Sequence, residues 1–226
     1  LAEVRAAQER GVALHAETCP QYLHLDATVL EGPGGEDFVC TPPLRDPEHR
    51  EELWEGLARG WVQTVATDHC PFWMHDRRAG MVAGRDGGWA DFTEIPGGLP
   101  GVETRLTLVW QGVRAGRISA ADWVRLCAEA PARTFGLFPR KGCLRPGSDA
   151  DVVVWDPERA QSLDAAALHM RVDHSPYEGQ VARGWPVLVL SRGRVVARDG
   201  AFCGEQGWGR YVERGAPDLS VVSHRG

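Results

Sequence analysis

Asp68, His69 and Cys70 stand at the end of an apolar run, Trp61 to Ala66, and bring a carboxylate, an imidazole and a thiol to one point of the chain. A carboxylate at the end of a buried strand can bind a metal ion, or take a proton from a water that attacks a carbonyl. It can also do no more than cap the next turn. His69 follows Asp68 directly, so in extended backbone its side chain points to the opposite face and reads as a supporting group. Cys70 could act as a nucleophile, yet nothing in the sequence fixes a histidine beside it, and it reads as a buried thiol. His15 is the other candidate imidazole; inside a strand it could be packed, exposed or a ligand. There is no H-x-H, H-E-x-x-H, G-x-S-x-G or phosphate loop. The residues alone support an α/β protein with an aspartate on its rim.

The elements that must position Asp68 follow from periodicity and punctuation. Leu1 to Arg10 has helical spacing, with Leu1, Val4 and Ala7 on one face, and Gly11 suits its end. No N-cap residue precedes it, so the sequence is expected to be a piece of a longer chain. Val12 to Glu17 is predicted as a strand stopped by Thr18-Cys19-Pro20, and residues 26–37 as a loop. Asp46 suits an N-cap with Pro47 at the first helical position, opening a helix through about Ala58 that Gly60 closes. The Asp68 strand then begins at once. Strand, loop, helix, strand is α/β grammar. Trp73 to Gly98 reads as one long loop. Val102 to Val113 has helical spacing, Ser119 should cap a helix reaching about Ala128, and Pro131 should start another that ends near Gly136. Beyond Lys141 the pattern turns to β, with a strand at Val152 to Trp155 and a hairpin joining Val187–Leu190 to Val195–Ala197 through Arg192-Gly193. The expected division is a barrel part over 1–140, a β-sandwich segment over 141–204 and a tail over 205–226.

Bulk composition narrows the function. The chain has 226 residues, 43% hydrophobic and 25% charged, with a formal net charge of -6. That is ordinary for a globular protein and leaves no basic field to gather phosphates, so nucleic acid is not an expected partner. No apolar stretch is long enough for a membrane span and no signal-like start is visible, so a cytoplasmic setting without membrane contact is expected. The six cysteines are scattered without zinc-finger spacing and read as reduced thiols.

Taken together and in order, several motifs resemble the C-terminal half of dihydropyrimidinases and hydantoinases, the cyclic amidohydrolases of the amidohydrolase superfamily. They are Glu17-Thr18-Cys19-Pro20-Gln21-Tyr22-Leu23, Cys40-Thr41-Pro42-Pro43-Leu44-Arg45, Thr67-Asp68-His69-Cys70-Pro71-Phe72, Ile95 to Glu103, Phe135 to Gly142, Gly147-Ser148-Asp149-Ala150-Asp151 and Ser175-Pro176-Tyr177-Glu178-Gly179. The resemblance implies an α/β fold, the last part of a TIM-like (β/α)8 barrel followed by part of a small β-sandwich. It implies two metal ions, usually zinc, bridged by a carboxylated lysine that this chain lacks, and a hydroxide that opens a dihydropyrimidine or hydantoin to an N-carbamoyl acid. Asp68 matches the family's metal-binding aspartate, which also carries the proton to the leaving nitrogen. Thr41 and Gly97 match substrate-contacting positions where serine and asparagine are usual, and these contacts are made largely through backbone groups.

The further ligands the resemblance implies would lie upstream of Leu1. A barrel of this kind takes about 250 residues, so the chain alone is expected to hold no catalytic metal tightly and to turn over nothing. Allantoinase and dihydroorotase share the mechanism and stand as alternatives. So does a non-catalytic scaffold like the collapsin response mediator proteins. A half that completes its barrel with a separate partner chain is another. The full-length protein is expected to be a homo-oligomer, a tetramer, with residues 205–226 crossing to a neighbour.

Overall fold

The structure is a computed structural model that describes residues 1–74, 93 and 95–218. Most of the predicted Trp73 to Gly98 loop and the last eight residues lie outside the described residues.

Helix α1 (Ala2–Glu9) ends before Gly11, which adopts φ 80°, and buries Gln8, whose Nε2 donates to the carbonyls of Leu14 and Trp61. That side chain ties α1 to the start of the Asp68 strand. The expected strand over Val12–Glu17 shrinks to β1 (Glu17–Thr18), followed at once by helix α2 (Pro20–His24). Pro20 therefore starts a helix where a stop was expected, the tolerated place for a residue that lacks an N–H. Helix α3 (Pro47–Arg59) begins after Asp46 and is closed by Gly60 at φ 79°, as predicted. It buries Trp54 and Leu57, and Trp54 Nε1 donates to the Leu23 carbonyl 3.1 Å away, locking α3 onto α2.

Strand β2 (Thr64–Val65) pairs in parallel with β1, Glu17 opposite Thr64 and Thr18 opposite Val65. Gln63, fully buried, extends that pairing: its N–H donates to the Ala16 carbonyl and its Oε1 accepts from the Ala16 N–H at 2.8 Å. Parallel strands joined through a helix are the α/β step the sequence promised.

Helix α4 (Arg105–Arg114) packs on this pair, and Val109 joins Leu23, Leu57, Val62, Val65 and Leu126 in one core cluster. Helix α5 (Ala120–Val124) starts at a capping box in which Ser119 Oγ accepts from the Asp122 N–H and Asp122 Oδ2 accepts from the Ser119 N–H. The predicted break at Pro131 does not occur. A π-helical turn, Arg125–Glu129, leads directly into α6 (Ala130–Thr134). Proline cannot donate to the carbonyl four residues back, here that of Cys127, and the wider turn accommodates the ring. Arg105 Nη1 takes up the Cys127 carbonyl at 3.5 Å and the Val65 carbonyl at 2.8 Å, joining this turn to the end of β2.

The β part is an antiparallel meander, β3 (Val152–Ser162), β4 (Val181–Ser191), β5 (Arg194–Arg198) and β6 (Ala201–Phe202). Two-residue turns, Arg192-Gly193 and Asp199-Gly200, have positive φ at both positions, matching the twist of the strands they join. The sheet is held on α4 by Thr107 Oγ1 donating to the Gly184 carbonyl at 2.8 Å, and by Gln111 Nε2 donating to the Arg183 carbonyl at 2.7 Å. The segment beyond Gly204 folds back on its own chain through Asp218. Trp208 Nε1 donates to Ser191, the Gly215 N–H to the Gly136 carbonyl, and Arg133 Nη1 pairs with Asp218 at 2.7 Å. This part of the expected crossing tail thus lies on its own body.

Candidate active-site rim around Asp68

Strand β2 runs out at Val65, and within three residues the backbone turns sharply. Asp68 has φ 48°, a left-handed conformation that aspartate tolerates better than bulkier residues and that clusters at functional positions. Its side chain is exposed, and among the described residues no group hydrogen-bonds or ion-pairs with its carboxylate. The turn also alters the relation to His69 expected from an extended strand, because the strand has already ended.

His69 forms a parallel bridge with Leu99, and its Nδ1 accepts from the N–H of Gly101 at 3.1 Å and of Val102 at 3.4 Å. An Nδ1 that accepts requires neutral imidazole protonated at Nε2. Burial lowers the His69 pKa in the same direction. Its role is to staple the 97–102 segment to the end of β2, the supporting role read from sequence. Cys70 adds its N–H to the Leu99 carbonyl at 3.0 Å. A side chain on Gly98 would stand 2.5 Å from Cys70 Cβ, so this approach needs a glycine.

Thr41 and Gly97 meet on the same rim. A Cβ built on Gly97 would lie 3.3 Å from Thr41 Oγ1, and the Gly98 N–H donates to the Val39 carbonyl at 3.0 Å. Three segments, 39–42, 67–70 and 97–101, are thereby laced together through backbone hydrogen bonds. Tyr22 and Cys40 stand in two of the motifs that carry the family resemblance, which assigned neither a role: the Tyr22 hydroxyl donates to the Pro42 carbonyl at 2.9 Å, and the Cys40 thiol donates to the same oxygen at 3.3 Å. His15 does not belong to it; its Nδ1 lies 3.3 Å from Thr134 Oγ1 on α6.

Electrostatics link these groups. Burial first, and then the charge of Asp68, push the Cys19 thiol up to about 12, and Asp68 acts in the same direction on Tyr22 and Cys40. All three therefore sit within reach of its field and remain protonated at neutral pH. The rim rests on a second apolar cluster in which Leu25, Cys40, Leu44 and Leu99 pack against Leu108, Leu163, Tyr177 and Trp185. The β part thus backs the same rim.

Among the described residues no three His, Cys, Asp or Glu side chains converge as a metal site would require. Catalytic zinc takes about three protein ligands, so these residues do not fit a metal centre by themselves; Asp68 offers one donor.

The chain matches the model of a family described as the amidohydrolase family over residues 1–196. It is 44% identical over 216 residues to a D-hydantoinase of Ralstonia pickettii, covering 95% of this chain and 46% of that protein. A D-hydantoinase of Streptomyces coelicolor is 42% identical over 216 residues, with 95% and 45% covered. Among solved structures, a dihydropyrimidinase from Brevibacillus agri superposes with a TM-score of 0.88 at 42% identity, covering 94% of this chain and 45% of that one. A D-hydantoinase from a Bacillus species, AR9, gives 0.87 at 43%, with 94% and 46% covered. The chain spans about half the length of the curated relatives it matches.

Proposed function

This chain belongs to the amidohydrolase family, with the fold of the C-terminal part of a TIM-like barrel plus part of a β-sandwich, and we propose that it carries one side of the active site of a cyclic amidohydrolase, a dihydropyrimidinase or hydantoinase. The observation that carries this reading is the exposed Asp68 carboxylate, unpaired among the described residues, on a rim laced to the Thr41 and Gly97 segments. In this reading water attacks the ring amide carbon and Asp68 takes the proton released. The ring C–N bond then breaks, and Asp68 returns that proton to the departing nitrogen, leaving an N-carbamoyl amino acid. Backbone groups of Thr41 and Gly97 hold the ring, where hydrogen bonds from a fixed main chain cost little reorganisation.

Hydantoinases of this family generally use metal ions, and two zinc ions bridged by a carboxylated lysine are part of the proposal. Of their ligands this chain would supply Asp68 alone, so the 226 residues by themselves are proposed to be inactive. Allantoinase, dihydroorotase and a non-catalytic scaffold are the competing readings. The proposal also takes residues 1–140 as barrel, 141–204 as sandwich and 205–226 as tail, and takes the complete protein as a cytoplasmic homotetramer. Among the described residues no helix is long and apolar enough to cross a membrane.

The test is hydrolysis of dihydrouracil and hydantoin by the natural protein at its full encoded length, with and without a chelator. Ring opening that chelation abolishes and zinc restores is expected. Activity untouched by metal removal would end the zinc reading, and turnover of allantoin or dihydroorotate alone would move the assignment to those branches.

A further inference from the structure

The rim residues that would hold the substrate ring are themselves held by a side chain from a different element. Thr41 lies in a short strap, Val39 to Leu44, between a 3-10 turn, Gly35–Phe38, and α3. On one side the strap bonds the 97–98 segment, through the Gly98 N–H to the Val39 carbonyl at 3.0 Å. On the other, the Pro42 carbonyl accepts from both Tyr22 Oη at 2.9 Å and Cys40 Sγ at 3.3 Å. Tyr22 is the third residue of α2, downstream of β1, whose ladder partner β2 leads to Asp68. A single phenol thus joins the element that sets Asp68 to the strap that presents Thr41.

We propose that Tyr22 is a positioning residue for substrate binding, fixing the Thr41 backbone relative to Asp68 through its hydrogen bond to the Pro42 carbonyl. This rests on the cyclic amidohydrolase reading above. The geometry favours the role for three reasons. The strap carries two consecutive prolines, Pro42 and Pro43, which offer no N–H of their own. Its carbonyls and side chains must therefore supply the fixing contacts. A thiol is a weak donor, so the phenol is the stronger of the two groups on that oxygen. Burial, with the Cys40 thiol beside it, raises the Tyr22 pKa, so the hydroxyl stays a donor through neutral and mildly alkaline pH.

Tyr22→Phe isolates the interaction, because the ring and its packing remain. In the natural protein at full encoded length, with its metal bound, the variant is expected to raise KM for hydantoin and dihydrouracil about three- to tenfold, the factor one hydrogen bond supplies. The expected kcat stays within about twofold, since proton transfer at Asp68 is untouched. Deuterium uptake of a peptide spanning residues 39–45 should quicken by about twofold or more, while that of residues 61–66 is unchanged. Unaltered KM and unaltered uptake at 39–45 would overturn the proposal. So would a parallel fall of kcat and of the melting temperature with KM constant, which marks a merely structural residue. A parent protein inert toward every cyclic amide would instead sink the functional reading on which the proposal stands. A parent that turns over normally, with a silent Tyr22→Phe, would sink this proposal alone.

Discussion

At the scale of single residues, the groups around Asp68 differ most in how water and burial treat them. Asp68 is exposed and, among the described residues, unpaired, whereas burial pushes the Cys19 thiol within its field up to about 12, and the Cys127 thiol, packed in the core around Leu126, to about 11. Thiolate is the reactive form. Iodoacetamide at pH 8 is therefore expected to label exposed Cys203 well before Cys19 or Cys127, and peptide mapping showing Cys19 labelled first would contradict this burial pattern. His24 gives a pH dependence. It is held neutral between Trp54, 5.8 Å away edge to face, and the Leu108 carbonyl, which accepts its Nε2–H at 2.9 Å. Burial depresses its pKa from 6.5 to about 4. The unfolded chain then binds the extra proton first, so the contribution is complete above pH 6.5 and is lost as pH falls from 6.5 through about 4. Its ceiling is about 3 kcal/mol. Denaturant midpoints should fall across that window in the parent and much less in His24→Gln; equal slopes would refute the assignment. The place of Asp68 at the end of a strand was legible because an acidic residue closes a β-branched run. The contact of Tyr22 was not: it stands in a quoted motif, but its partner, the Pro42 carbonyl, is twenty residues away and only the fold brings the two together.

At the scale of elements, punctuation was read well and lengths poorly. Asp46-Pro47 and Gly60 bound α3 as their backbone chemistry requires, and Ser119 caps α5 with a full capping box. Replacing Ser119 with Ala should cost about 1 kcal/mol of stability in denaturant unfolding, and an unchanged midpoint would show the box contributes nothing. The strands were overestimated because β1 and β2 have only each other as neighbours among the described residues, and a two-residue ladder is what the hydrogen bonds support. Pro131 misled for a different reason: a π turn absorbs it, and such turns leave no clear mark in periodicity. The Asp199-Gly200 hairpin was readable from its dipeptide and went unread. Packing between elements is sharpest at Gly184, at φ 100°, where an added Cβ would stand 2.2 Å from Trp110 Cδ1. Gly184→Ala combines backbone strain with overpacking and should destabilise by about 2 kcal/mol or more. A melting temperature equal to the parent's would show that the sheet does not press on α4 as described.

At the scale of the molecule, one core cluster, Leu57 with Val62, Val65, Val109 and Leu126, lies within the α/β part, while the other, through Leu163, Tyr177 and Trp185, joins that part to the β part, and the rim rests on that junction. The α/β character and the β part were legible from alternation and turn dipeptides. A complete metal centre was not, since among the described residues no three His, Cys, Asp or Glu side chains converge and Asp68 offers a single donor. The 226-residue chain prepared alone is expected to retain less than about one zinc per chain after gel filtration and to show no ring opening. Stoichiometric zinc with turnover would mean that these residues suffice. The central claim, that Asp68 moves the proton in cyclic amide hydrolysis, is tested most directly by Asp68→Asn in the natural protein at full encoded length. Its exposure predicts normal folding, and loss of a general base predicts kcat for hydantoin and dihydrouracil lowered by about 10² to 10⁴. An Asp68→Asn enzyme that folds and opens either ring at the parent's rate would contradict it.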